Sequence, residues 1–469
     1  MSVRKSSAPA AVLAVLSMAQ FLIALDYSII YVALPSIADD LDIGLTLTQW
    51  IVSAYAVLFA GFLVVGGRLS DLVGAKRLFV VAIATFGVAS AVGGTAGDGT
   101  VLLAARGAQG LGAAVLQPAV LALIGTTFPA GPSRSRALAV WGSVGALGLA
   151  AGAILGGLLT AVSWRLVFVV NVPLTVLCAL GAAVWVGSAR DHPQANRIPI
   201  LASVLGTGTV LALVLGLTLG PGVGWSSTAT RACLGLALVL FLVFVRNESA
   251  SGNALIEPVL RETLSLRVGA GATALYMASV GSEFFLFTLL LQSVKGYPPL
   301  RTGLAFLPLA LMITVGNTTA GRVVRRHSPT TVLAGGFTIA AVGLLWLSLT
   351  LHGDSYAADL LPGLLLSGFG HGLIYTSMFI VGTGDVPATH QGTAGALLTT
   401  SQYLSGAITL AVLTLALGRS PDNGTFRTGF LIITAAAIAG LALVAVQRQR
   451  LETRPGTNVP NTEESLLDG

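Results

Sequence analysis

Long apolar stretches, each ended by a charge, a proline or a short polar loop, follow one another along almost the whole chain. Fourteen can be marked off, at 10–34, 48–69, 78–97, 100–126, 137–160, 165–187, 198–219, 229–246, 267–292, 301–321, 330–352, 358–381, 393–418 and 427–447. Each approaches or exceeds the roughly 20 apolar residues that a helix needs to cross a bilayer. A membrane-spanning barrel would instead show alternating segments of about 10 residues. The pattern therefore predicts an all-α polytopic membrane protein.

Composition supports this. Of 469 residues, 54% are hydrophobic and only 9% charged, against about a quarter charged in soluble domains. A water-soluble fold of this size could not cover itself with so few charges. The net charge of +6 would point to nucleic acid only if the basic residues clustered on one soluble face. They sit in short loops instead. With the N-terminus inside, eighteen of the 25 lysines and arginines fall on the cytoplasmic side, six outside and one, Arg106, within a span. That bias predicts an even number of spans in the plasma membrane with both termini cytoplasmic.

Cys178 and Cys233 lie inside apolar spans, which excludes a disulfide framework and leaves a metal cluster unsupported. Arg4 and Lys5 ahead of an apolar run look like a signal peptide, but the run is too long and carries an acid, so it reads as a retained first helix. The loops leave no room for a soluble catalytic domain. No Gly-Lys-Ser/Thr P-loop, His-Glu-x-x-His, Cys-x-x-Cys or Gly-x-Ser-x-Gly pattern is present. ATP-driven pumping and the commonest hydrolytic chemistries are thereby disfavoured, and no cofactor is expected.

Two longer connections, 188–197 and 247–266, flank spans seven and eight. They divide the chain into an N-terminal six-helix half (1–190), two extra helices with their linkers (191–266), a C-terminal six-helix half (267–450) and a disordered tail (451–469). A faint repeat accompanies this division. Gly67-Arg-Leu-Ser-Asp71-Leu-Val-Gly74-Ala-Lys76-Arg77 follows span two, and Gly321-Arg-Val-Val-Arg325-Arg326-His327 follows span ten. Each is a glycine-then-basic turn after the second helix of a six-helix set, the arrangement of a transporter built from two related halves.

An ionisable side chain inside a bilayer is costly, so those within spans are the leading functional candidates. Four qualify: Asp26, Arg106, Glu283 and His371. Asp26, followed by Tyr27 and Tyr31, suits a carboxyl that loads and releases a proton; the competing reading is a helix-end acid near Pro35. Arg106, Gln109, Ala113 and Gln117 share one helical face. An arginine there must pair with a carboxylate or line a wet cavity. Glu283 lies deep in span nine among Tyr276, Phe284, Phe285 and Phe287, a setting that suits a cationic lipophilic ligand. An acid paired with an internal arginine is the equal alternative. His371, between two glycines, reads as a hydrogen-bonded structural histidine. In span five, Gly145, Gly148, Gly152 and Gly156 form one small-residue stripe for close helix contact, with Gly157 beside it.

Taken in order, these stretches resemble the major facilitator superfamily, specifically its fourteen-helix drug:proton antiporters of the EmrB/QacA type. The resemblance rests on Leu25-Asp26 to Pro35, the loop from Gly67 to Arg77, Arg106 to Gly112, the span-five glycines, Trp164-Arg165 through Asn171-Val172-Pro173, and Gln391 to Gly406. It implies that Gly67, Asp71, Gly74, Lys76 and Arg77 form a loop that latches the halves and gates their rocking. It also implies that Asp26 and Arg106 take part in proton coupling, and that the span-five glycines correspond to the antiporter motif. That motif's Gly-Pro step reads Gly152-Ala153 here, and Arg325 stands where the first loop has its acid. Glu283 has no counterpart in the family pattern.

The resulting expectation is a monomeric, proton-driven exporter of lipophilic, cationic compounds such as antibiotics or dyes. Asp26, Arg106 and Glu283 would carry the coupling. Asp26, Tyr27, Tyr31, Gln109, Gln117, Tyr276, Glu283 and Phe287 would line the substrate cavity. An uptake symporter of the same fold and a non-transporting sensor or scaffold stay open as alternatives.

Overall fold

In the computed structural model, which describes residues 9–187, 199–250, 254–351, 353, 355–417 and 423–452, fourteen helices are long and apolar enough to cross a membrane. We number them α1 (Pro9–Asp40), α2 (Trp50–Val73), α3 (Ala75–Gly94), α4 (Gly99–Thr127), α5 (Pro132–Val162), α6 (Leu166–Trp185) and α7 (Ile200–Val223). The others are α8 (Thr228–Ala250), α9 (Leu264–Gln292), α10 (Arg301–Val323), α11 (Pro329–Thr350), α12 (Tyr356–Thr383), α13 (Ala388–Leu417) and α14 (Asn423–Arg448). No strand occurs among the described residues. Arg4, Lys5, the 188–197 connection and most of the tail lie outside them.

The expected spans and the observed helices correspond one to one, but several helices run past the apolar edge. The largest difference is at α1, which continues through Pro35 to Asp40. A proline inside a helix removes one backbone donor, yet the helix does not stop there. Asp26 is therefore well inside a continuous helix, and its reading as a helix-end acid falls. Elsewhere the ends follow local chemistry. Asp98 caps α4 by accepting from Thr100 N at 2.8 Å and Val101 N at 3.0 Å. Gly74 alone joins α2 to α3 with φ +103°, a backbone that a side chain would strain.

The helices form two six-helix halves, with α7 and α8 as an additional pair. Within the first half, α1 packs along α5, α2 along α4, and α3 along α4. The second half repeats the scheme with α10 and α11 against α12 and with α9 against α13 and α14. The pair α7–α8 packs together, and α7 also touches α2 and α13, one helix from each half.

Glycine explains the close approach of α1 and α5. A Cβ on Gly148 would meet the Phe21 carbonyl at 2.8 Å, and one on Gly152 would meet the Leu25 carbonyl at 2.7 Å and the Ser28 hydroxyl. Gly145 and Gly156 face Gln20 and Ile29 in the same way. The stripe thus lies on α1 over the stretch that contains Asp26. Gly157 meets nothing within 4 Å and stands outside the contact.

Candidate functional site

Three clusters of polar side chains interrupt the apolar interior. The first surrounds Asp26, which is 1% exposed. Arg106 donates from Nη1 to Asp26 Oδ2 at 2.7 Å, while Gln109 Nε2 and Asn171 Nδ2 donate to Oδ1 at 3.0 and 2.9 Å. Arg106 also donates from Nε to the Ile51 carbonyl and from Nη1 to Gln109 Oε1, and its guanidinium lies over the Tyr55 ring at 4.5 Å. Gln109 Nε2 reaches Ser90 Oγ at 2.8 Å as well. Arginine stays protonated in proteins, so a buried positive charge sits directly against the Asp26 carboxyl. A buried ion pair persists only when its remaining hydrogen-bonding capacity is met, and Gln109, Asn171 and Ile51 meet it here.

The second cluster occupies equivalent helices of the other half, the first and fourth, α9 and α12. Glu283 Oε2 is 3.0 Å from His371 Nε2, and Ser367 Oγ donates to Glu283 Oε1 at 2.6 Å. All three are fully buried. His371 Nδ1 has no partner, and Tyr276 meets the imidazole edge-on at 5.7 Å. The internal arginine that would have paired with Glu283 is not there; a histidine takes that place.

Aromatic rings run between the two clusters. Tyr55 stacks on Phe59, which meets Tyr403 of α13 edge-on at 4.7 Å. The Tyr403 hydroxyl is near enough to Tyr27 and Tyr375 to interact electrostatically. Tyr375 then packs on Tyr276 at 5.6 Å and on Trp141 of α5 at 5.7 Å.

Among the residues expected to line a substrate cavity, Tyr27 is half-buried and Tyr31 is 48% exposed, their rings 5.9 Å apart. Gln117 is buried with Oε1 unpartnered, and Tyr276 is 6% exposed. Asp26, Gln109 and Glu283 are sealed inside their own halves. Phe287 is fully buried against Phe306 at 5.2 Å, so no ligand reaches it in this conformation.

The third cluster joins the halves at the end of the bundle that carries the α2–α3 turn, here called the latch face. Asp71 accepts from Gly392 N at 2.9 Å, Thr393 N at 2.8 Å and Thr393 Oγ1 at 2.6 Å. An anion on the amides of a helix's first turns also gains from the helix dipole. Gly67 lets α2 come this close, since a Cβ there would meet the Gly392 carbonyl at 2.7 Å and Ala396 Cβ at 2.5 Å. Gly321 plays the matching part between α10 and Ala139 of α5. Lys76 and Arg77 open α3 beside Gly74 and make no ion pair within 4.0 Å among the described residues.

Reasoning from sequence missed Ser90, Ser367, Arg68, Glu257 and His390 as site residues. Hydroxyls in spans are too common to signal a role, and the last three become neighbours only when distant segments fold together.

The family model for the Major Facilitator Superfamily matches residues 16–200 and 197–410. The chain belongs to this superfamily. Among its relatives, the cephamycin export protein CmcT of Amycolatopsis lactamdurans is 35% identical over 88% of this chain and 86% of its own length. The puromycin resistance protein pur8 of Streptomyces alboniger is 34% identical over 92% of this chain and 89% of its own. The crystal structure of the human organic anion transporter MFSD10 shares the fold at a TM-score of 0.69 and 16% identity, covering 93% of this chain and 99% of that one. The protein is thus a multi-pass membrane transporter of the superfamily rather than an enzyme.

Proposed function

We propose that the protein is a proton-coupled exporter of lipophilic, cationic compounds, working as a monomer by alternating access. The observation that carries this reading is the sealed Asp26–Arg106 pair, 2.7 Å apart with every Asp26 contact supplied from its own half. A carboxylate so held releases its arginine when it takes up a proton, and the freed guanidinium then has to find another partner or water. Such a change alters the packing of α1 on α4 and α5, both of which also touch the other half. Glu283, with His371 and Ser367 around it, is a second carboxyl suited to the same exchange in the other half.

Direction follows from charge. The excess of lysine and arginine in the latch-face loops supports a cytoplasmic latch face and cytoplasmic termini. Asp71 and its partners then close the cytoplasmic entrance. Protons enter from outside, neutralise the carboxyl and displace the substrate; their release inside restores affinity for the next cargo. The relatives named for export of cephamycin and resistance to puromycin support an antibiotic-like cargo.

Cells expressing the protein should extrude a toxic lipophilic cation, and a protonophore should abolish the extrusion. Asp26→Asn should abolish it too, while the protein still reaches the membrane. Undiminished extrusion by that variant would remove Asp26 from the coupling. Protein-dependent accumulation of the compound would replace export with uptake.

A further inference from the structure

The latch between the halves contains a residue that belongs to neither. Glu257 lies in the linker after α8, just before the short helix Pro258–Glu262. Its Oε1 is 2.6 Å from Arg68 Nη1 on α2, and its Oε2 is 2.6 Å from His390 Nε2 at the start of α13. One carboxylate therefore bridges the first half to the second, three residues along α2 from Asp71.

Arg68 makes this bridge consequential. Its side chain is 2% exposed, its Nε and Nη1 make no hydrogen bond, and the 2.6 Å charge contact with Glu257 Oε1, which lacks hydrogen-bond geometry, is its one ion pair among the described residues. A buried guanidinium needs a counter-charge, and the linker supplies it. His390 is held from its other ring nitrogen as well, with Thr389 Oγ1 2.8 Å from Nδ1.

The linker is itself anchored to the additional helices. Glu248, near the end of α8 and 5% exposed, accepts from Leu255 N at 2.7 Å and Ile256 N at 3.0 Å. Arg261 donates from Nη1 to the Glu248 carbonyl at 3.1 Å. These contacts fix the backbone next to Glu257 and tie it to α8, which packs on α7, which in turn touches α2 and α13.

We infer that the α7–α8 insert is a working part of the gate: through Glu257 it pins Arg68 to His390 and thereby holds α13 where Asp71 can cap it. Glu257 and Glu248 are positioning residues that act through the latch and touch no substrate. The inference rests on the alternating-access reading for its meaning, while its test uses neither substrate nor gradient.

The test is amide hydrogen exchange of the purified full-length protein, followed at Gly392 and Thr393, whose amides donate to Asp71. Glu257→Gln removes the charge and keeps the shape, and exchange at both amides should speed up about tenfold or more. Glu257→Asp keeps the charge and should restore most of the protection. Glu248→Ala touches neither half, yet it should loosen the linker and speed exchange at the same two amides. Wild-type exchange in Glu257→Gln overturns the proposal. Acceleration in Glu257→Gln without any in Glu248→Ala overturns the insert's part, because Glu257 would then be held by Arg68 and His390 alone. Loss of export in Asp26→Asn, or its absence, bears on none of these outcomes.

Discussion

Asp26 and Glu283 sit in matching helices of the two halves, yet they face different bases, and the difference sets what each can do. Asp26 faces an arginine, a fixed positive charge, at 2.7 Å. Glu283 instead shares a 3.0 Å contact with His371, while Ser367 holds its other oxygen. Separating the pair should therefore be non-additive. Glu283→Gln and His371→Gln, alone and together, should give a coupling of about 1–3 kcal/mol in thermal stability. A sum of independent effects would show that the 3.0 Å contact carries no energy. Both acids and Arg106 were legible in the sequence, because an ionisable residue in a span is rare enough to stand out. Ser90 and Ser367 were not, since span hydroxyls ordinarily bond back to their own helix, as Thr209 does to Leu205 at 2.7 Å.

At the scale of helices, the span-five glycines separate contact from composition. Gly148 and Gly152 press on α1 backbone, whereas Gly157 faces open space. Gly152→Ala should cost about 1–3 kcal/mol through overpacking against Leu25 and Ser28, and Gly157→Ala should be close to neutral in a melting measurement. Equal effects at the two sites would break the proposed α1–α5 contact. The stripe was legible because helical spacing is visible in sequence; that it faces α1 was not, because spacing names a face and not its neighbour. The linker after α8 makes a pH argument at the same scale. Burial alone would raise the Glu257 carboxyl, but the His390 hydrogen bond and the Arg68 charge outweigh it and hold it below the usual glutamate range. A depressed folded value adds stability above the unfolded pKa and loses it as pH falls through the folded one. The difference in melting temperature between the wild type and Glu257→Gln should thus be constant above about pH 5 and shrink below about pH 4. A difference that shrinks already between pH 7 and 6 would contradict that.

Across the whole molecule, the near-repeat of the α2–α3 and α10–α11 turns is closer in backbone than in charge. Gly67 and Gly321 make the same kind of approach, to α13 and to α5. Four residues on, Asp71 caps α13, while Arg325 is exposed, following the contact of Gly321 with the start of α5, where Arg134 lies in the first turn and Arg136 just after it. Cations at a helix N-terminus oppose the dipole, so this side holds the halves by packing without an anionic cap. The latch face is thus fastened by an anionic cap on one side and by packing on the other. The sequence displayed this asymmetry as a missing acid, but the partner helix of each turn appears only in the fold. Arg325→Asp should add an anion to the start of α5, contributing about 0.3–1 kcal/mol to the closed form. In a rate assay of compound extrusion, Asp71→Asn should slow export several-fold by weakening closure. Arg325→Asp alone should slow it by delaying opening, and the double variant should recover part of the loss. A double variant no faster than Asp71→Asn would show that the two turns do not bias the same closure, and the second turn would then be a spacer rather than half of a paired gate.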